Sequence, residues 1–273
     1  MRLSFRSPRL ALGTALSAGL AAAGLTGCLS SSDTVTGTGT NTTGAALVRL
    51  VQAMRDTSVT FSFGTSGVSD AIAFGSYVPA SGVSCSNYVN YCLVAATPPL
   101  VVTAAGASTP FYNQTATAIT NNGAFTVIAL GHVAAGATPP ATVTILADTT
   151  GVTSSTSALI RVFNALDYVK SSTTGTPVDV YIYVEGGTRP TAPTDTSLRA
   201  LGWNTRSAYV GRTPANLVVD VFAAGAPSTG TPLFSTTLGN LSANSVRTLI
   251  LRNPVAGAGA ATPGAVITLN DQN

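Results

Sequence analysis

The segment LVRLVQA at residues 47–53 returns as LIRVFNA at residues 159–165, and a segment of alternating apolar and polar residues follows each copy. Apolar side chains occupy every second position of those segments, at Val59, Phe61 and Phe63 in the first and at Val178, Val180, Ile182 and Val184 in the second. An alternation of period two is typical of a β-strand with one buried face. The repeated segments therefore predict strands that open two related units.

The repetition continues in the same order towards the end of the chain. Matched blocks are 73–75 with 200–202, 101–107 with 220–226, 109–112 with 231–234, 126–130 with 248–251, and 143–148 with 266–271. Each copy spans about 110 residues and holds short apolar runs separated by Gly, Pro or Asn, which is typical of β-sandwiches. The pattern predicts an all-β protein of two tandem antiparallel, immunoglobulin-like β-sandwich domains, at 45–148 and 158–271, with a linker at 149–157.

The second repeat also carries the pattern of a known family. Residues 159–165 and the segment TPVDVY at 176–181 resemble the domain of unknown function 4397 family, found as tandem β-sandwich modules in secreted bacterial proteins and lipoproteins. The first repeat departs from this pattern, since TSVTF at 57–61 stands where PVDVY is expected. The resemblance covers most of 45–271 and implies a fold and a location. It implies no catalytic residues, because none are established for the family.

Charged residues are scarce in this chain. They make up 8% of its 273 residues, whereas about a quarter is usual in soluble domains. The formal net charge is +3, and Arg2, Arg6 and Arg9 near the N-terminus account for all of it. The remaining arginines are scattered and form no basic stripe that could follow a phosphate backbone. The charge pattern therefore argues against a nucleic-acid partner.

The N-terminus has the organisation of a bacterial lipoprotein signal. A basic segment at 1–9 precedes an apolar run at 10–25, which is shorter than the ~20 apolar residues of a comfortable membrane span. The run ends in LTGC at 25–28, which resembles a lipobox. We therefore expect residues 1–27 to be a signal peptide and Cys28 to be acylated. An uncleaved anchor helix, or an ordinary signal peptide with a chance cysteine, is the alternative.

Residues 28–44 read as an acylated cysteine followed by a flexible Ser/Thr/Gly tether, because they show no periodicity and no aromatic residue. Lipid at Cys28 would make the membrane the first partner of the protein. Leu29 and Ser30 follow the cysteine without an aspartate, as in cargo sorted to the outer membrane. The expected location is the cell envelope, most simply the outer membrane on its periplasmic or surface face.

Two further cysteines, Cys85 and Cys92, lie in the first repeat. In an oxidising compartment a disulfide across a loop or hairpin end is the simplest interpretation of such a pair. A metal pair is the alternative, but only His132 could add another soft ligand and a structural zinc site usually has four. We therefore predict a disulfide, no metal site and no cofactor.

No catalytic residue is predicted, and the chain is interpreted as a non-enzyme. The only histidine, His132, follows an apolar segment and is interpreted as a surface or turn residue; no Gly-x-Ser-x-Gly elbow occurs. The strand carboxylates Asp179 and Asp220 are expected on solvated faces or bonded to turn backbones. A hydrolase remains a remote alternative, which would require His132 to converge with two carboxylates.

Four aromatic residues are weak candidates for ligand binding, namely Tyr181, Tyr183, Trp203 and Tyr209. Aromatic rings on one exposed sheet face can stack on sugars, but they can equally cover a face against the neighbouring repeat. The favoured function is a structural or protein-interaction module of the cell envelope. The alternative is a glycan- or peptidoglycan-binding envelope protein.

Overall fold

The computed structural model describes residues 45–64, 69–79, 84–85, 88–89, 91–95, 97–148, 154–167, 177–253 and 264–271, with the backbone alone at 84–85, 88–89, 93 and 95. The predicted signal peptide, the predicted lipid site at Cys28 and the predicted tether lie outside these residues, as does part of the predicted linker, 149–153. The described residues contain strands and a 3₁₀ turn at Thr196–Leu198, but no α-helix. The prediction of an all-β protein is confirmed.

Ten described strands belong to the first repeat. They are β1 (Ala45–Gln52), β2 (Val59–Ser62), β3 (Tyr77–Val78), β4 (Ser84–Cys85), β5 (Tyr88–Val89), β6 (Cys92–Ala95), β7 (Leu100–Ala104), β8 (Tyr112–Gln114), β9 (Ala124–Leu130) and β10 (Thr142–Asp148). β1 and β9 are the most deeply buried of them, since every residue in both is buried.

The second repeat contributes eight described strands. They are β11 (Ala158–Asn164), β12 (Val178–Val184), β13 (Thr205–Arg206), β14 (Val210–Arg212), β15 (Leu217–Ala223), β16 (Phe234–Leu238), β17 (Val246–Arg252) and β18 (Ala265–Asn270). β11 is the copy of β1, and β17 is the copy of β9. The described strands thus follow the order of the repeated sequence blocks.

Each repeat forms an inner and an outer sheet. The first inner sheet has the order β10-β9-β1-β3 with β6 also on β1, and the first outer sheet has the order β2-β7-β8. The second inner sheet has the order β13-β11-β17-β18 with β14 also on β11, and the second outer sheet has the order β12-β15-β16. β4 and β5 form a separate two-stranded sheet. Every one of these sheets draws its strands from a single repeat.

Two pairs of the described strands are parallel. β1 runs parallel to β9, and β11 runs parallel to β17. The prediction of purely antiparallel sheets is therefore wrong at these pairs. A parallel pair needs a long crossover, and here the chain builds the outer sheet between the two strands. Alternation along one strand does not encode the direction of its neighbour, so this feature was invisible in the sequence pattern.

The apolar core of each repeat joins its inner and outer sheets. In the first repeat the cluster includes Val48 and Leu50 of β1 together with Phe61 and Val102 of the outer sheet. In the second repeat it includes Ile160 and Leu249 of the inner sheet together with Val180 and Val219 of the outer sheet. Full burial of each such side chain contributes roughly 1.5–3 kcal/mol. Except for Val184, which is exposed, the alternating residues seen in the sequence form these cores.

The two inner sheets also pack against each other. A third buried cluster joins the two repeats, with Val51, Ile128, Leu130 and Leu146 from the first and Phe163, Ile250, Ile267 and Leu269 from the second. We call this interface the seam. One face of β1 contacts its own core and the other contacts the seam, so both faces are largely apolar, as is usual for strands covered on both sides.

Candidate functional site

Four charged side chains lie buried at the seam. Arg49 is on β1 and Arg161 is at the matching position of β11, while Asp148 ends β10 and Asp271 directly follows β18. The side chains of Arg49, Asp148 and Asp271 have an exposure of 0%, and that of Arg161 has 3%. The two cations are matched by two carboxylates. This matters because an uncompensated buried charge costs several kcal/mol.

Arg49 crosses the seam to the second repeat. Its Nη2 pairs with Oδ1 of Asp271, and its Nη1 donates a hydrogen bond of 2.7 Å to the backbone oxygen of Asn270. Its Nε donates to Oγ1 of Thr126 on β9 at 2.7 Å. Nη2 also lies 3.3 Å from Oδ2 of Asp148. One guanidinium therefore ties together β1, β9, β10 and the end of β18.

Arg161 makes the reciprocal contacts to the first repeat. Its Nη2 donates to Oδ1 of Asp148 at 2.5 Å, and its Nη1 donates to the backbone oxygen of Ala147 at 2.8 Å. Its Nε donates to Oγ1 of Thr248 at 3.1 Å. Each arginine thus binds the strand-end carboxylate of the other repeat. We call these four charged residues and their hydrogen-bonding neighbours the seam network.

A tyrosine completes each half of the seam network. The hydroxyl of Tyr91 donates to Oδ2 of Asp148 at 3.1 Å, and that of Tyr209 donates to Oδ2 of Asp271 at 2.8 Å. The guanidinium of Arg49 lies 4.9 Å from the ring centre of Tyr91, and that of Arg161 lies 4.8 Å from that of Tyr209. Such cation–π contacts strengthen when desolvated. The two halves therefore match in their tyrosines as well as in their charges.

Threonine hydroxyls and shifted pKa values fix the charge states of the seam network. Thr126 donates to Asp148 at 2.5 Å, and Thr248 donates to Asp271 at 2.6 Å. Burial by itself lowers the pKa of Arg49, but the charges of Asp148 and Asp271 raise it above the ordinary value. Burial raises the pKa of Tyr91 and of Tyr209. Arg49 therefore stays charged and both phenols stay protonated at neutral pH.

Sequence reasoning did not single out the seam network, although a signal for it was present. Arg49 and Arg161 interrupt the middle of apolar strands in a chain with few charges, and they occupy equivalent positions of the repeat. Asp148 and Asp271 end the last matched block of each copy. A charge repeated inside an apolar strand needs a buried partner, so the two pairs could have been matched by their repetition.

His132 lies between two carboxylates. Its Nε2 is 3.0 Å from Oδ2 of Asp167 in the second repeat, and its Nδ1 is 3.6 Å from Oδ2 of Asp56 in the first. The side chain of Asp167 is 1% exposed and that of His132 is 14% exposed. Burial raises the pKa of Asp167, and the nearby charge of His132 opposes this rise. The convergence that the hydrolase alternative requires is therefore present at the seam.

The turn after β9 explains the position of His132. Gly131 has a φ of +87°, and a Cβ on it would lie 2.3 Å from the backbone oxygen of Pro140. Only glycine fits such a left-handed, tightly packed position. His132 then pairs with Pro140 in an isolated β-bridge. Among the described residues, no hydroxyl or thiol group forms a hydrogen bond with the imidazole.

The four candidate aromatic residues do not form one platform. Tyr181 is 3% exposed and packs edge-on against Phe222, and the hydroxyl of Tyr183 donates to Asp220 at 2.8 Å. Trp203 packs against the apolar cluster of the seam, and Tyr209 belongs to the seam network. Trp203 therefore covers a face at the seam, in line with the structural interpretation of these rings.

The strand carboxylates Asp179 and Asp220 have structural partners. Asp179 accepts hydrogen bonds of 2.8 Å from the backbone nitrogens of Ala200 and Gly225, as expected for a carboxylate bonded to turn backbones. Asp220 is 1% exposed and accepts from Nε of Arg189 at 2.6 Å. It is therefore not on a solvated face, because the loop that carries Arg189 covers the outer surface of its sheet.

The cysteine predictions fall partly outside the described residues. Cys28 and the side chain of Cys85 are not among them. Cys92 is the first residue of β6 and stands opposite Val48 of β1. β4, which ends at Cys85, lies close to β6. The disulfide between Cys85 and Cys92 stays a prediction.

Within the described part of the chain, no group of three or more His, Cys, Asp or Glu side chains is arranged to hold a metal ion. Nor does this part contain a helix of the length and apolarity that crossing a membrane requires.

No protein-family model matches the chain. No curated protein is similar to it in sequence.

Proposed function

We propose that this chain is a non-catalytic lipoprotein of the bacterial cell envelope, a structural or protein-interaction module held at the outer membrane by lipid on Cys28. The proposal includes membership of the domain of unknown function 4397 family and an immunoglobulin-like β-sandwich for each repeat. The observation that carries it is the seam network. Its buried charges pair with one another across the seam and so hold the two repeats together, as expected for a structural protein.

The seam favours a rigid spacer over two hinged modules. The apolar cluster of the seam is flanked by charged contacts that run in both directions between the repeats. Movement of one repeat relative to the other would expose both the apolar surface and the paired charges of this interface to water. A stiff body on the predicted tether, with a span of roughly 20–24 Å for sixteen residues, would present its surface at a set distance from the membrane.

Replacement of Cys28 tests the anchor. We expect Cys28→Ala to lose palmitate labelling and to move to the soluble periplasmic fraction, because the acyl chains supply the membrane affinity. Labelling and fractionation of cells that express the full chain measure both effects. Ser30→Ala is the matched control and should stay labelled and membrane-bound. Labelled Cys28→Ala would refute the lipid site.

Thiol alkylation tests the disulfide. We expect no adduct on Cys85 or Cys92 in the unreduced, unfolded full chain, and two adducts after reduction. Intact-mass measurement counts the adducts. The small loop makes this bond a local staple of about 2.5 kcal/mol. Two adducts without reduction would show that both thiols are free.

A hydrolase is retained as a second candidate, because the structure brings His132 together with Asp56 and Asp167. An acyl-transfer site also needs a nucleophile in contact with the base, and the described residues provide none beside His132. We propose instead that the histidine bridges the two repeats. If model esters are hydrolysed no faster with the wild type or with His132→Ala than in buffer alone, the result would support the structural role.

The glycan-binding alternative rests on Tyr181, Tyr183, Trp203 and Tyr209, which are divided between two places in the fold. A pull-down from envelope extracts, scored in parallel against isolated glycans and peptidoglycan, separates the two proposals. Retention of a defined envelope protein by the wild-type chain supports the interaction module. Retention of glycan that is lost in Tyr183→Ala would favour the alternative.

A further inference from the structure

A cleft opens between the two sheets of the second repeat. It has a volume of about 340 Å³ and lies between the end of β12, the end of β14 and the loop that carries Pro190 and Thr194. Its walls are largely apolar, and they include Val184, which is 43% exposed. Ligand sites in proteins start at about 300 Å³, so the cleft suits a small molecule.

Arg212 places a cation on the wall of this cleft. Its Nη2 donates to Oγ1 of Thr194 at 2.8 Å, and its Nη1 donates to the backbone oxygen of Gly211 at 2.8 Å. Its Nε is buried and has no hydrogen-bond partner among the described residues. The guanidinium is therefore held in place by neutral acceptors, with donor capacity left over.

The charge of Arg212 lacks a close counter-charge within the described part of the chain. Its nearest acidic influence is Asp195, but Oδ1 of that carboxylate accepts from the backbone nitrogen and the hydroxyl of Ser197. Burial lowers the pKa of Arg212, which shows that desolvation is not balanced by a paired carboxylate. Arg189, by contrast, pairs directly with Asp220 at 2.6 Å.

We propose that this cleft, which we call the Arg212 cleft, binds a small carboxylate with a short apolar body. The carboxylate would neutralise the guanidinium by accepting from its exposed Nη groups, since the guanidinium fork matches a carboxylate in geometry. The apolar body would cover Val184 and Pro190. The site is independent of the seam network and does not rest on the proposed anchoring role.

The test is titration of the purified full chain, in detergent micelles, with butanoate. The Nε–Hε resonance of Arg212 in the nitrogen-15 spectrum reports binding at the site. We expect a saturable shift with butanoate and none with 1-butanol at the same concentration. Equal shifts with both compounds, or no shift with butanoate, would overturn the proposal.

Two variants test the site from different walls. Because Arg212→Gln removes the Nε–Hε group, binding in the variants is followed through the backbone amide resonance of Gly211, which also lines the cleft. Arg212→Gln should weaken butanoate binding at least tenfold, and Arg206→Gln, which changes an exposed arginine of the same repeat, should leave it unchanged. If Arg212→Gln does not fold, Val184→Asp keeps the test decisive, because Val184 is exposed and its replacement places a negative charge at the cleft. We expect at least a fivefold loss there and none in Leu233→Asp. Wild-type affinity in a folded Arg212→Gln or Val184→Asp would refute the site.

Discussion

Asp148→Asn is expected to lower the free energy of unfolding by about 3–5 kcal/mol, the usual effect of removing one partner from a buried ion pair. The carboxylate of Asp148 lies within 3.3 Å of Arg49 and within 2.5 Å of Arg161, and it accepts from Tyr91 and Thr126. Asparagine keeps the shape but leaves the seam network with two buried guanidinium groups and one carboxylate, that of Asp271. The loss follows from this uncompensated charge.

Urea unfolding followed by fluorescence of the single tryptophan measures this effect, because Trp203 packs against the apolar cluster of the seam. Asp70→Asn is the matched control: Asp70 is exposed, and its replacement should change stability by less than about 0.5 kcal/mol. A loss below 1 kcal/mol in Asp148→Asn would mean that the seam network is open to water in solution.

Phe163→Ala is expected to lower the free energy of unfolding by about 3–5 kcal/mol, the range for deleting a buried phenylalanine ring. Phe163 is on β11, has an exposure of 0% and lies in the apolar cluster that contains Ile128 and Leu146 of the other repeat. The cavity would therefore open between the repeats and not inside either core. The seam should weaken while each core stays intact.

Two controls separate the seam from the cores. Phe61→Ala removes a ring of the same size from the core of the first repeat, where exposure is also 0%. It should cost a similar amount but leave the native emission of Trp203 unchanged, whereas Phe163→Ala should shift that emission. Leu233→Ala, at an exposed position, should be neutral. A neutral Phe163→Ala would show that the inner sheets do not pack on each other in solution.

The sequence by itself determined the repeat, the strands and the equivalence of their positions. Alternation at Val178, Val180 and Ile182 predicted the face that enters the core, and the structure places all three there. The matched blocks also aligned Arg49 with Arg161 and Asp148 with Asp271. These features are local, because the period of a strand and the order of blocks are written in neighbouring residues.

Only the tertiary structure decided how the repeats meet. It made β1 parallel to β9, covered the second face of both strands, and joined Arg49 to Asn270, which is 221 residues away in the sequence. It also brought His132 to Asp167 across the seam. The physical reason is that strand direction, sheet packing and charge pairing depend on the free energy of contacts between distant residues, which no local pattern specifies.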